Sequence, residues 1–186
     1  SDLLFGAGDA VGGTPHAFSS GSFTEGRIAA KSACQYIDDG KGEGISVSNA
    51  TIEKLKEEVF RPMEHYKVHR NEIVAGTVNP NYHNPRQELD RLQKLMDEYG
   101  GGVTVNYMTN DKLLSIGLKK LKIMEEDLEK IAAKDLHELL RAWEVKHRHR
   151  TSECVLQHTL FRKETRWPGY YYRGDAMKLD DENWHV

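Results

Sequence analysis

No stretch of this 186-residue sequence approaches the roughly 20 consecutive apolar residues that a membrane-spanning helix requires. Cysteine is scarce. Cys34 and Cys154 stand far apart in mixed surroundings, which excludes a disulfide framework or a zinc knuckle and is compatible with a reducing cytoplasm. Strong charge bias is missing too: the formal net charge is −3, so no overall electrostatic footprint for nucleic acid exists. The chain carries no initiator methionine and no signal peptide. Ser1-Asp2-Leu3-Leu4-Phe5 reads as a strand entered from inside a domain, and Asn183-Trp184-His185-Val186 as a tail without a stop signal. Truncation at both ends is the expectation. What the chain does have, 38% hydrophobic and 30% charged residues, suits a soluble globular protein and argues against disorder.

Texture changes along the chain in three zones. Residues 1–44 are rich in Gly, Ala and Ser and read strand, Gly-rich loop, helix. Ser19 or Ser20 is placed to cap that helix, and Ala29, Ala30 and Ala33 suit close packing on a neighbour. Residues 45–83 form a connector with a helix beginning at Asn49, which Pro62 should kink or end. Residues 84–186 are charged and Leu-rich with helical periodicity. Asn84-Pro85 opens one helix that Gly100-Gly101-Gly102 stops. A second starts near Asn110 with a stripe of Leu114, Leu118, Leu121, Met124, Leu128 and Ile131. Asp135 caps a third, with Leu136, Leu139, Leu140 and Trp143 expected inside. A three-helix bundle follows.

Several patterns promise chemistry and fail on spacing. Gly6-Ala7-Gly8-Asp9-Ala10-Val11-Gly12-Gly13 has Val11 where the dinucleotide fingerprint needs glycine. His147 and His149 are two apart, on different sides of a helix, and no H-E-x-x-H or Cys/His spacing occurs. No metal site is expected, and Lys146-His147-Arg148-His149-Arg150 reads as a solvated basic face, the alternative being an acidic partner's contact. Arginines and aromatics alternate from Arg162 to Asp175, and Asp180-Asp181-Glu182 follows. That composition predicts a docking segment built on arginine–aromatic stacking and acid pairing. One pattern survives. A strand ending at Asp9, followed by a Ser-rich helix start, sets an acceptor for sugar-like hydroxyls beside a positive helix end.

Two separated stretches then resemble one family. Gly8-Asp9-Ala10, His16-Ala17-Phe18-Ser19-Ser20-Gly21-Ser22 and Glu25-Gly26-Arg27-Ile28-Ala29-Ala30-Lys31 are similar to the last flavin-contacting strand and helix of the fumarate reductase/succinate dehydrogenase flavoproteins. Arg162-Lys163-Glu164-Thr165-Arg166, Tyr172-Arg173-x-Asp175 and Asp180-Asp181-Glu182-Asn183-Trp184 resemble their C-terminal helical domain. Asn84-Pro85-Arg86-Gln87, Asp135 to Arg141 and Arg166 to Arg173 look like signatures of adenylylsulfate reductase alpha subunits. The dicarboxylate enzymes carry an Asn-Arg-Leu-Gly-Gly-Asn-Ser run at the helix start, whereas no arginine occurs here between Ser1 and Arg27.

The resemblance implies a mixed fold, the strand-loop-helix edge of an α/β FAD-binding domain followed by a mainly α-helical C-terminal domain. It implies FAD, and interconversion of adenosine 5′-phosphosulfate plus two electrons with sulfite and AMP through a flavin–sulfite adduct. The implied partner is a ferredoxin-like iron–sulfur beta subunit, and the implied setting is cytoplasmic dissimilatory sulfur metabolism. By position Asp9 would bind the ribityl chain, Ser19, Ser20, Gly21 and Ser22 the pyrimidine edge, and Phe18 and His16 would face flavin and substrate. The alternatives are a succinate dehydrogenase or fumarate reductase fragment, and a non-catalytic helical interaction module.

Overall fold

In the computed structural model, residues 4–11, 19–41, 46–72, 81–166 and 169–184 are described, apart from the Asp9 side chain. Six α-helices occupy most of them: α1 (Ser19–Asp38), α2 (Asn49–His69), α3 (Pro85–Tyr99), α4 (Asp111–Leu128), α5 (Leu136–Phe161) and α6 (Asp181–Trp184). Two short strands, β1 (Met108–Thr109) and β2 (Tyr172–Arg173), pair in parallel. The chain divides into two units, Ser1–Glu53 and Lys54–Val186, with the boundary inside α2.

In the first unit the expected strand does not form at Leu4 and Phe5, which take no regular structure. A strand needs a neighbour for its ladder, and none lies beside them among the described residues; Leu3 is outside those residues. Gly8–Ala10 makes a 3₁₀ turn instead. Helix α1 begins at Ser19 itself, one residue earlier than a Ser19 cap would place it, within the ordinary uncertainty of helix ends. It buries no residue. Phe23 and Ile37 are more than half exposed, while Tyr36 meets the Phe5 ring edge-on.

The second unit carries the core. Each of α3, α4 and α5 packs against the other two. Leu92 and Leu95 from α3 meet Leu114, Leu121, Met124 and Leu128 from α4 and Ala142, Val145 and Leu156 from α5. Their starts are set by side chains that satisfy otherwise orphaned N–H groups. Asn84 Oδ1 accepts from the Arg86 N–H while Gln87 Oε1 accepts from the Asn84 N–H. Asn110 and Asp135 do the same for Leu113 and Glu138. The glycines that stop α3 also leave room: a Cβ on Gly101, at φ 88°, would sit 2.6 Å from the Tyr171 ring. Tyr171 donates its hydroxyl to the Gly100 carbonyl at 2.7 Å.

One helical expectation is narrowed and one corrected. Of the kink or end expected at Pro62, the end does not occur, and α2 continues to His69. A proline removes one ladder donor and crowds the preceding turn, and two groups from other elements settle that stretch. The Trp143 indole N–H donates to the Val59 carbonyl at 3.0 Å, and the Ala133 N–H to the Pro62 carbonyl at 2.9 Å. In α5 the buried row is Leu139, Ala142, Val145, His149, Ser152 and Leu156. Leu136 and Leu140 are exposed and Trp143 is half-buried. Apolar residues at 136, 139, 140 and 143 span two faces; the long helix follows a three-and-four spacing whose later members, His149 and Ser152, are polar.

Gly117 lies where α4 crosses its neighbours. A Cβ there would come 2.9 Å from both Leu156 Cδ1 and Tyr99 Cβ, so both helices approach the α4 backbone directly. Gly117→Val should destabilise the chain by about 1–3 kcal/mol through overpacking. Urea unfolding with an unchanged midpoint would refute this close approach.

Candidate functional site

The first candidate is the turn-and-helix edge in the first unit. Gly8 adopts φ 67°, a conformation suited to glycine, and turns the chain onto the start of α1. A Cβ on Gly8 would lie 3.2 Å from Ser22 Oγ and 3.9 Å from Ser22 Cα. The Gly8 N–H donates to Glu25 Oε2 at 2.6 Å, and the Val11 N–H closes the turn on the Gly8 carbonyl at 2.9 Å. The backbone of the Gly8–Ala10 turn is thereby held against the first turns of α1.

That helix start has no acidic residue in its first turn. Its leading N–H groups have no intrahelical partner, and the helix dipole gives them partial positive charge. Ser19 and Ser20 are exposed, Gly21 and Ser22 half-buried, and Thr24 Oγ1 donates back to the Ser20 carbonyl at 3.0 Å. Such an edge can receive a negatively polarised group. Among the expected site residues, the structure brings the Asp9 backbone turn beside Ser22. The Asp9 side chain, His16 and Phe18 lie outside the described residues. Glu25 was not assigned a role by sequence reasoning; a carboxylate one turn inside a helix, seventeen residues from the N–H it meets, leaves no local signal.

The second candidate is the polar cluster around Glu164 and Arg173. The Glu164 side chain has no exposed surface. It accepts from Arg162 Nε at 2.6 Å, from Arg166 Nε and Nη2 at 2.7 and 2.9 Å, and from the Asp180 N–H at 2.9 Å. The Arg166 guanidinium outweighs desolvation and holds the Glu164 carboxyl at about 2, against the usual 4.5. Arg173 is 2% exposed and donates to the Thr159 and Arg162 carbonyls and to Asp111 and Asp175. Burial pushes Asp175 up, but the Asp111 N–H and Arg173 outweigh it and hold Asp175 at about 2.

Among the described residues Arg162, Arg166 and Arg173 pair with carboxylates and carbonyls, and for the buried Arg173 each guanidinium donor demands such a partner. Acid pairing does occur, with Arg166 reaching Asp181 at 3.0 Å. Trp167 and Pro168 lie outside the described residues.

In the basic run 146–150, His147, Arg148 and Arg150 are exposed, as expected of a solvated face, and His149 is the exception. His149 is buried, its Nε2 2.8 Å from the Leu121 carbonyl. Lys146 lies over the Trp143 ring, and Arg150 pairs with Glu125 and Glu153. Among the described residues no cluster of three His, Cys, Asp or Glu side chains could hold a metal ion, and no helix is long and apolar enough to cross a membrane.

Residues 89–186 match the family described as Fumarate reductase flavoprotein C-term. The chain belongs to that flavoprotein family. It is 44% identical over 184 residues to adenylylsulfate reductase subunit alpha of Megalodesulfovibrio gigas, covering 97% of this chain and 27% of the relative. The structure of adenylylsulfate reductase from Archaeoglobus fulgidus superposes with a TM-score of 0.90 at 52% identity, over 96% of this chain and 28% of that one. A structure of adenosine-5-phosphosulfate reductase in complex with sulfite, as a covalent adduct, matches to the same degree. The Mycobacterium smegmatis Sdh1 complex shares the fold, with a TM-score of 0.69 at 20% identity over 94% of this chain and 27% of that one. The chain thus spans little more than a quarter of the length of these relatives.

The depressed acids set an acid limit on stability. Both have folded pKa values near 2, below their usual 4.5 and 3.8. Their stabilisation is complete above the usual values and is lost as pH falls from about 4.5 towards 2. The thermal midpoint should drop through that window, and Glu164→Gln should lower it at neutral pH while flattening the drop. An equally steep acid loss in Glu164→Gln would show that other groups govern it.

Proposed function

We propose that this chain is the closing edge of the flavin site and the helical C-terminal domain of an adenylylsulfate reductase alpha subunit. The whole protein would interconvert adenosine 5′-phosphosulfate plus two electrons with sulfite and AMP. The observation that carries this reading is the identity of 44–52% across 96–97% of the chain to adenylylsulfate reductases, against 20% for the succinate dehydrogenase relative. The lack of arginine between Ser1 and Arg27 argues in the same direction. It removes the cation that the dicarboxylate enzymes use at this helix start.

The residues present fit a flavin edge. The Gly8 turn approaches Ser22 so closely that a side chain would crowd it, and the helix start beyond it has no acidic residue in its first turn. The Gly8 N–H is engaged by Glu25, and the α1 terminus supplies donors in our reading. FAD, when bound, supplies the two-electron chemistry. Asp9 then accepts hydrogen bonds from ribityl hydroxyls. Ser19, Ser20, Gly21 and Ser22 present the positive helix end to the pyrimidine edge, where it stabilises negative charge. Phe18 and His16 face the flavin and the substrate.

Residues 1–44 close the FAD-binding domain, 45–83 connect, and 84–186 form the helical domain. The electrons come from a ferredoxin-like iron–sulfur beta subunit, and the setting is cytoplasmic.

The test is turnover by the flavoprotein that contains this chain. AMP-dependent oxidation of sulfite with an artificial electron acceptor should proceed, and fumarate should not be reduced; the opposite pattern overturns the reading. Asp9→Ala should weaken FAD binding by about 1.5–3 kcal/mol, the range for a lost charged hydrogen bond. Unchanged flavin affinity on titration would remove Asp9 from the site. The isolated 186-residue chain should purify colourless, since it holds only one edge; stoichiometric yellow FAD would contradict that.

A further inference from the structure

The Gly8–Ala10 turn packs against α1. Ser22 and Glu25 stand three residues apart, on one face of that helix, and both reach Gly8. Ser22 closes on the glycine so tightly that a Cβ would lie 3.2 Å from its Oγ. Glu25 Oε2 accepts the Gly8 N–H at 2.6 Å. The Gly8 carbonyl in turn takes the Val11 N–H at 2.9 Å, so both polar groups of this one residue are engaged.

The nature of the turn gives the Glu25 bond its weight. A single 3₁₀ turn has poor hydrogen-bond geometry and little stability of its own. Gly8 enters it at φ 67° from an extended Ala7 at φ −154°, and a glycine has the widest choice of other conformations. What holds the bend therefore comes from α1. A charged acceptor bonds about twice as strongly as a neutral one, and Glu25, half-buried on the helix, supplies it from seventeen residues away. Asp9 is the next residue in the chain, so anchoring the Gly8 peptide anchors the start of Asp9. Binding groups work when held within roughly 0.5 Å of their productive geometry.

We propose that Glu25 is a positioning residue of the flavin site: its carboxylate fixes the Gly8 turn and thereby sets where Asp9 meets the ribityl hydroxyls. This rests on the reading of Asp9 as the ribityl acceptor. Glu25 acts through Gly8 and not on the flavin directly. Reach is what the role requires, since the acceptor must stand at the end of a side chain of this length. Its charge only strengthens the bond.

The experiment uses the complete flavoprotein, stripped of flavin and titrated with FAD. Glu25→Ala should weaken FAD binding by about tenfold, the loss of one charged hydrogen bond. Glu25→Gln keeps an acceptor oxygen at the same reach and should stay within about threefold of wild type. Glu25→Asp keeps the charge but is one methylene short, and should lose more than Glu25→Gln. The loss should also be coupled to Asp9: Asp9→Ala/Glu25→Ala should bind FAD no more weakly than Asp9→Ala alone. Wild-type affinity in Glu25→Ala overturns the proposal. A multiplicative loss in the double variant does so too, since Glu25 would then support the fold in general. So does a larger loss in Glu25→Gln than in Glu25→Asp, since charge would then be the active property. The Gln and Asp variants carry the test where Glu25→Ala does not fold. Asp9→Ala separates the two readings. Weakened binding there, with every Glu25 variant at wild-type affinity, overturns the role of Glu25 and leaves Asp9 in place. Unchanged affinity in Asp9→Ala removes the Asp9 assignment and the role of Glu25 with it.

Discussion

The helical unit is organised around one buried guanidinium. Arg173 is almost wholly withdrawn from water, and an unpaired charge in that position costs several kcal/mol, roughly 3–5 when a partner is lost. Its donors therefore dictate where three pieces of chain must be. Asp111 fixes the start of α4, the Thr159 and Arg162 carbonyls fix the end of α5, and Asp175 fixes the turn after β2. Asp175 then accepts from the Asp111 N–H at 2.8 Å, so one carboxylate both neutralises the guanidinium and caps a helix. The β1–β2 pair is a consequence. Two parallel strands of two residues each have little stability alone, and these are held because Arg173 belongs to β2 while Thr109 of β1 donates to the Tyr99 carbonyl.

This arrangement explains which parts of the fold a reader of the sequence can see. Helix starts were legible because their signals are local. Asn84-Pro85, Asn110 and Asp135 each satisfy an orphan N–H within a few residues. The core stripe of α4 was legible because its period is regular. The fate of Pro62, the burial of His149 and the pairing of Arg173 were not, because each is settled by a group distant in sequence. Trp143 lies 84 residues from Val59, and Leu121 lies 28 from His149. Polar residues were misplaced for the same reason. The alternation of arginine and aromatics gave no sign that Arg173 would be buried, where carboxylates and backbone carbonyls are its strong partners.

At the candidate flavin edge the balance is reversed. The order of turn, acid and Ser-rich helix start was visible in the residues, and its meaning came from a resemblance spanning both ends of the chain. The close approach of Gly8 to Ser22 and the capture of the Gly8 N–H by Glu25 needed coordinates. Together they remove the Gly8 N–H from the available donors and set the turn against the start of α1. A positive helix end is a fixed dipole that cannot be protonated or displaced. That suits it to charge that develops during a reaction rather than to charge already on a substrate.

The distinction bears on which substrate the parent protein takes. A shared fold with a succinate dehydrogenase, at 20% identity, cannot separate the two chemistries, since function resides in sites and not in folds. A dicarboxylate arrives with two full negative charges and needs mobile cations to bind it, which is the part an arginine plays at the helix start of those enzymes. This chain keeps the helix start and lacks the arginine. What remains is a positive helix end without an acidic residue in its first turn, which suits the flavin edge proposed for it. Under the proposed reading, the helix start would serve the cofactor, and the missing arginine would mark a substrate other than a dicarboxylate.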